Sequence, residues 1–105
     1  MKKSLFAFSI ILLLSACTWV QLRPEAEKTR VLSASEVKSC KKLGKTTASL
    51  ADEVAGFERN PEKVQKELEI LARNSAVDLE GDTVVPVGEP KDGKQVFDVY
   101  RCINP

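Results

Sequence analysis

A cysteine at position 17 has the most distinctive sequence setting in this chain. It follows Leu14-Ser15-Ala16, an uncharged apolar run over residues 5–14, and two lysines at positions 2 and 3. This order of charge, apolar run and small residues is that of a secretory signal. The run is about half as long as a membrane-spanning helix requires. The pattern predicts cleavage after residue 16 and attachment of acyl chains such as palmitate to Cys17.

Two other interpretations of this segment are a short buried helix and a plain signal peptide with an incidental cysteine. A buried helix would carry one apolar stripe, whereas residues 4–14 are apolar on every side apart from Ser4 and Ser9. The residue after the cysteine is Thr18. Lipoproteins of this kind resemble the class exported to the outer membrane, whereas an aspartate at that position would favour retention in the inner membrane. We therefore expect a lipid-anchored outer-membrane protein whose domain faces the periplasm.

Two further cysteines, Cys40 and Cys102, remain once Cys17 is assigned to lipid. The periplasm is oxidising, so the sequence predicts a disulfide between them. Closing a loop of about 60 residues would stabilise a small domain by roughly 4 kcal/mol in the chain-entropy model. Two buried free thiols or a redox-active pair are the alternatives, but a redox pair usually has C-x-x-C spacing, which is lacking here.

Other catalytic and metal-binding patterns are weak. The sequence contains no histidine, which removes the commonest general base and metal nitrogen ligand. The acidic run Asp78, Glu80 and Asp82 could offer oxygens to a divalent ion but lacks the order of a calcium loop. The loop over 50–59 contains the carboxylates Asp52, Glu53 and Glu58, and two of them could act as a pair in hydrolysis, as in glycosidases. The favoured interpretation is that they are solvent-exposed charges of a surface loop. We expect no enzyme activity, no cofactor and no metal.

The charge balance argues against nucleic acid as a partner. The chain has 16 basic and 15 acidic residues with a formal charge of +1, and loss of Lys2 and Lys3 with the signal leaves −1. The charges of both signs are interleaved, whereas a nucleic-acid surface needs a basic stripe.

The mature chain divides into a tether and one small domain. Residues 1–16 form the predicted signal, residues 17–30 the lipidated N-terminus and tether, and residues 31–105 the domain. Trp19, Val20 and Leu22 within the tether either lie at the lipid interface or pack onto the domain.

The strongest predicted element is a helix from Pro61 to about Leu79. Asn60 is a good N-cap and Pro61 suits the first helical position. Apolar residues recur three and four apart; they are Val64, Leu68, Leu71, Ala72, Ala76 and Leu79. Pairs of opposite charge lie four apart, among them Glu69 with Arg73. We expect Gly81 to supply a left-handed stop after the helix.

Strands are predicted on both sides of the helix. They cover residues 30–32, residues 39–49 with a bend at Gly44, a strand beginning at 83–85, and residues 95–102, with a loop over 50–59 and a turn at 90–93. Pro86 favours an edge strand. With the last strand central between the 39–49 strand and the Pro86 strand, the sequence predicts a small α+β domain of split β-α-β type, one helix on a three- to four-stranded mixed sheet.

Three local patterns resemble a known family. They are Cys40-Lys41-Lys42-Leu43-Gly44, then Leu71-Ala72-Arg73-Asn74-Ser75-Ala76 leading to Gly81-Asp82-Thr83-Val84, and Val99-Tyr100-Arg101-Cys102. With the lipid-attachment motif they look like the bacterial lipoproteins of the domain of unknown function (DUF) 4156 family, over nearly all of the mature domain. The resemblance implies an envelope lipoprotein with no established active site.

A more distant likeness is to the outer-membrane lipoprotein that senses envelope stress for the Rcs pathway. The similarity lies in the helix, the following Gly-x-x-Val strand and the terminal cysteine strand. The proline-rich linker and cysteine pattern of that protein are not reproduced here. The resulting expectation is a non-catalytic envelope protein that binds another envelope component or acts in stress signalling; the alternative is a periplasmic small-ligand or metal-binding module.

Overall fold

The computed structural model of the chain describes residues 20–50 and 60–105. The loop predicted over 50–59 and its carboxylates Asp52, Glu53 and Glu58 lie outside them, apart from Leu50. In chain order the described elements are a 3-10 turn (Pro24–Ala26), β1 (Arg30–Val31), a second 3-10 turn (Ala34–Glu36), β2 (Lys41–Ser49), α1 (Pro61–Asp78), β3 (Thr83–Lys91) and β4 (Lys94–Arg101). This is the predicted α+β arrangement, with one helix on a four-stranded mixed sheet.

Helix α1 begins as its sequence indicates. The Asn60 side chain accepts hydrogen bonds from the backbone N–H groups of Glu62 and Lys63, at 2.7 and 3.4 Å, and so satisfies two donors that the first turn leaves free. The apolar stripe faces the sheet and its centre is fully buried at Leu68, Ala72 and Ala76. Leu79 follows the last helical residue and is 40% exposed.

The end of α1 corrects the role predicted for Gly81. The left-handed residue is Glu80, with φ of 62°. The N–H of Gly81 bonds to the carbonyl oxygen of Ala76 and that of Glu80 to Val77, which is the Schellman pattern. Gly81 is needed for space, because a Cβ there would lie 2.5 Å from a methyl carbon of Val99 and 3.1 Å from the carbonyl oxygen of Tyr100.

The strand order is β1-β3-β4-β2. Strand β4 is antiparallel to both β2 and β3, so the predicted central position of the last strand and the split β-α-β connection are confirmed. The predicted irregularity at Gly44 is also present, as a register shift between Lys42 and Gly44. The hairpin turn is tighter than predicted, because β3 continues to Lys91 and only Asp92 and Gly93, both with positive φ, separate it from β4.

Strand β3 is an edge strand for only part of its length. Strand β1 lies parallel to its first two residues, where the N–H of Arg30 bonds to the Asp82 carbonyl oxygen and the N–H of Leu32 to that of Val84. The backbone groups of residue 86 face the same side as those of residue 84. Because Pro86 has no N–H, it cannot continue this pairing, and no strand within residues 20–50 and 60–105 pairs with β3 on that side from there on.

The sheet buries one face against α1. Facing strands supply pairs of buried side chains at this interface, including Val84 opposite Val99. The core cluster consists of Ala48, Leu50, Leu68, Ala72, Ala76, Val84, Phe97 and Val99. Strands β1 and β2 occupy opposite edges, so residues 32–40 must cross the sheet between them. Val37 is 3% exposed although it is not part of the core cluster, which places this crossing on the face away from the helix.

The predicted tether is too long. Residues 20–30 pack on the domain: Val20 contacts the core cluster and Ala26 and Thr29 are buried. Of the two alternatives for Val20, the structure shows the packed one, and Trp19 lies outside the described residues. The folded unit therefore begins by residue 20 and not at residue 31.

Candidate functional site

Cys17, the residue with the best-defined chemistry, lies three positions before the first described residue. The described segment nearest to Cys17 is residues 20–30, and its contacts determine where the lipid-bearing end of the chain meets the domain. Two side chains in the last third of α1 hold this segment, and we call the set of contacts the anchor latch: Asn74 with Gln21 and Arg23, and Arg73 with Ala26 and Glu27.

Asn74 forms the first half of the anchor latch. Its Oδ1 accepts a hydrogen bond of 2.8 Å from the backbone N–H of Arg23, and its Nδ2 donates one of 2.9 Å to the carbonyl oxygen of Gln21. The Arg23 guanidinium returns to the helix, donating to the Asn74 carbonyl oxygen at 3.2 Å and to an Asp78 carboxylate oxygen at 3.4 Å. One amide side chain thus satisfies a backbone donor and a backbone acceptor of the incoming segment.

Arg73 forms the second half. Its Nη2 donates to the carbonyl oxygens of Ala26 and Glu27, at 3.3 and 3.1 Å. The sequence pairs Arg73 with Glu69, but Glu69 accepts from Gln65 in the structure. Residue spacing within one helix could not indicate this, because the partners of Arg73 lie more than forty positions earlier in the chain.

The two remaining cysteines are bonded to each other where β2 begins and β4 ends. The Cα atoms of Cys40 and Cys102 are 4.4 Å apart across this disulfide. Asp82 lies beside it: one carboxylate oxygen accepts from the N–H of Cys102 at 2.8 Å and the other from the N–H of Ile103 at 3.0 Å. Partial burial opposes ionisation of Asp82, but these two N–H donors and the Thr83 hydroxyl outweigh it and lower its pKa.

The other two residues of the acidic run, Asp78 and Glu80, contact separate basic partners. Asp78 lies 3.4 Å from Arg23 and Glu80 lies 3.5 Å from Arg101. The Asp82 carboxylate accepts hydrogen bonds from the C-terminal backbone. Within residues 20–50 and 60–105, no group of three His, Cys, Asp or Glu side chains is arranged to hold a metal ion.

The sheet face away from α1 carries a charged cluster on β2 and β4. The Asp98 carboxylate lies 2.7 Å from the Lys45 ammonium and 3.5 Å from that of Lys42. The hydrogen bond from Lys45 lowers the pKa of Asp98, and the positive charge of Lys42 lowers it further, whereas partial burial of the carboxylate raises it by a smaller amount. Tyr100 is half-buried on this face and Phe97 is fully buried on the other, as their opposite positions on the strand predict.

Two shallow grooves lie at the hairpin end of the domain. One, of about 460 Å³, runs between the start of α1 and the hairpin and is lined by residues including Pro61, Gln65 and Glu89. The other, of about 340 Å³, lies on the outer sheet face and includes Thr47 and Val87. The Val87 side chain is 43% exposed. Glu89 and Asp92 line both grooves.

The side chains of the anchor latch were missed from the sequence, although a signal was present. Asparagine is a poor residue for the interior of a helix, because its amide competes for backbone groups. Asn74 nevertheless stands between two buried alanines, Ala72 and Ala76. A polar amide at that position indicates a backbone partner outside the helix.

Comparison with known proteins agrees with the motif and with the fold. Residues 1–18 match the model for prokaryotic membrane lipoprotein lipid attachment sites, within which Cys17 is the single cysteine. None of the described helices is long and apolar enough to cross a membrane. No curated protein and no solved structure matches the chain. Residues 20–102 match the model of the domain of unknown function DUF4156, from the first core contact at Val20 to the disulfide at Cys102. The chain is therefore a membrane-anchored lipoprotein that belongs to the DUF4156 family.

Proposed function

We propose that this lipoprotein is a non-catalytic component of the outer membrane whose domain faces the periplasm and binds another envelope component. The observation that carries the proposal is a lipid attachment site joined within a few residues to a small domain in which the carboxylates of Asp82 and Asp98 are bonded to other groups of the domain. Asp82 binds the C-terminal backbone and Asp98 binds two lysines. The sequence has no histidine to act as a general base.

The outer-membrane location is supported by Thr18. Fractionation of envelopes on a density gradient tests it, with Thr18→Asp as the perturbation and Thr18→Ser as the matched control. We expect the natural protein and the serine variant in the outer membrane, and the aspartate variant in the inner membrane. Recovery of the natural protein in the inner membrane would show that the assignment is wrong.

The partner surface is best sought on the outer sheet face at the hairpin end. Val87 is a large apolar side chain left exposed there beside Thr47 and Val96, and apolar residues surrounded by polar ones are typical of contact surfaces. A photo-crosslinking amino acid at Val87 should capture a specific envelope component, whereas one at the exposed helix position Lys66 should not. The capture is repeated under several envelope stresses, because a role in stress signalling requires the crosslink to change with stress. No specific product at Val87 under any stress would contradict the proposal.

The alternative, a periplasmic small-ligand or metal-binding module, rests on the groove between α1 and the hairpin. Its lining mixes carboxylates with Pro61 and Pro90, which suits a small polar ligand better than a bare ion. Calorimetry with divalent ions and with cell-wall fragments separates the two cases. Heat that disappears in Glu89→Gln would favour this module, whereas heat that disappears in Asp82→Ala would point to the acidic run.

A further inference from the structure

The anchor latch fixes how far the domain can lie from its lipid. Val20 already packs on the core cluster and Arg23 is bonded to Asn74. Only two residues, Thr18 and Trp19, separate Val20 from Cys17. Three peptide units span at most about 11 Å whatever their conformation. A tether of fourteen residues without the latch, as residues 17–30 suggest, could reach roughly 45 Å.

Exposed apolar side chains lie at the same end of the domain. Of the three large hydrophobic side chains that are exposed in the described part of the chain, two lie here: Leu79, just after α1, and Ile103, whose N–H is bonded to Asp82 in the turn that follows. Ile103 is the more exposed of the two, at 61%. The exposed contact between the Arg23 guanidinium and Asp78, which is not part of the anchor latch, lies one residue before Leu79.

The charges at this end are mixed. Acidic Glu25, Asp78 and Glu80 stand beside basic Arg23 and Arg101, and three of the pairs they form are within 4 Å. Paired surface charges of both signs produce little net attraction to an anionic headgroup. Any contact with the bilayer is then set by the short connection and the apolar side chains.

We infer that the domain is held against the lipid headgroups of its own leaflet, with the C-terminal end of α1 and the C-terminal tail facing the bilayer. Lipidation does not only prevent loss of the protein from the membrane; together with the anchor latch it orients the domain. The hairpin end, with both grooves, points away from the bilayer. This inference does not depend on the proposed partner or on which membrane holds the protein.

The test compares two labelling positions at opposite ends of helix α1. Asp78 and Glu62, at its two ends, are both exposed and lie about 24 Å apart along the axis. A fluorophore is attached to a cysteine at either position in the full lipidated protein, without reductant. The protein is placed in vesicles of phosphatidylethanolamine and phosphatidylglycerol that contain a headgroup-spin-labelled lipid as quencher. We expect several-fold stronger quenching at D78C than at E62C, with no loss at high salt.

A second variant separates the inference from an incidental orientation. Ten flexible Gly and Ser residues inserted between Thr18 and Trp19 leave the lipid site and Thr18 unchanged and add about 17 Å of average reach. Quenching at D78C should fall severalfold. Equal quenching at the two positions, no effect of the insertion, or loss of quenching at high salt would each overturn the inference, the last because it would show that charge holds the domain at the surface.

Discussion

Removal of the Asn74 side chain should release the N-terminal segment while the rest of the domain stays folded. In Asn74→Ala the chain loses the hydrogen bond that the Arg23 N–H donates and the one that the Gln21 carbonyl oxygen accepts. A net contribution of about 1 kcal/mol for each bond gives a total of about 2 kcal/mol. Since about 1.4 kcal/mol is a factor of ten, local opening of the segment should become roughly 30-fold more frequent.

Native-state hydrogen exchange measures this opening. The N–H groups of Ala26 and Thr29 are bonded within the segment, to Arg23 and Ala26, and do not contact Asn74. Their exchange should accelerate by roughly 30-fold in the variant. The amide of Ala72, in the buried middle of α1, should keep its rate because the core cluster is intact.

A matched control lies next in the chain. Ser75→Ala removes a small polar side chain from the same turn and should leave exchange at Ala26 and Thr29 unchanged. Unchanged exchange at these two amides in Asn74→Ala would refute the role of the anchor latch. Equal acceleration at Ala72 would refute it too, because Asn74 would then stabilise the whole domain and not the docking of the segment.

Three further predictions concern the end of the domain that carries the disulfide. Gly81→Ala should lower the free energy of unfolding by about 1 to 3 kcal/mol through the clash with Val99. Glu80→Gly should leave it unchanged or raise it slightly, because glycine adopts a positive φ without strain. Denaturant titration measures both, and a larger loss of stability in Glu80→Gly than in Gly81→Ala would contradict the structure. Because the pKa of Asp82 is lowered, its contribution to stability is complete above the ordinary aspartate pKa and is lost as the pH falls through the folded-state pKa. Asp82→Asn should therefore lower the free energy of unfolding by about 1 to 2 kcal/mol near neutral pH and make it depend less on pH under acid conditions. An unchanged acid dependence would exclude Asp82 as its source. Mass spectrometry without reductant should find the peptides that contain Cys40 and Cys102 linked. Because the bond joins residues 62 positions apart, its reduction should lower the free energy of unfolding by up to about 4 kcal/mol. Alkylation of both thiols before reduction would show that the natural protein lacks the bond.

The sequence predicts well those features that depend on neighbouring residues. Asn60 and Pro61 mark the start of α1 because capping is a contact within one turn. The turn at Asp92 and Gly93 follows from the positive φ that such residues tolerate. Pro86 indicates the unpaired part of β3, since a missing N–H is a property of the residue itself.

Features that depend on distant contacts could not be predicted in the same way. Gly81 has the spacing of a left-handed helix stop, but its role is set by Val99 and Tyr100 on another strand. Residues 20–30 are polar and contain Pro24, which is typical of a tether, yet Asn74 and Arg73 hold them on the domain. The lipid attachment site was predictable because a processing signal must be recognised in the chain before folding is complete.

The mass of the intact protein extracted from the outer-membrane fraction tests the central claim most directly. A lipid-anchored outer-membrane protein must yield there a polypeptide that begins at Cys17, lacks residues 1–16 and carries acyl chains on that residue. Cys17→Ala should remove this species from the membrane. A chain that keeps residues 1–16, or one that bears an unmodified thiol at Cys17 while remaining in the membrane, would contradict the account.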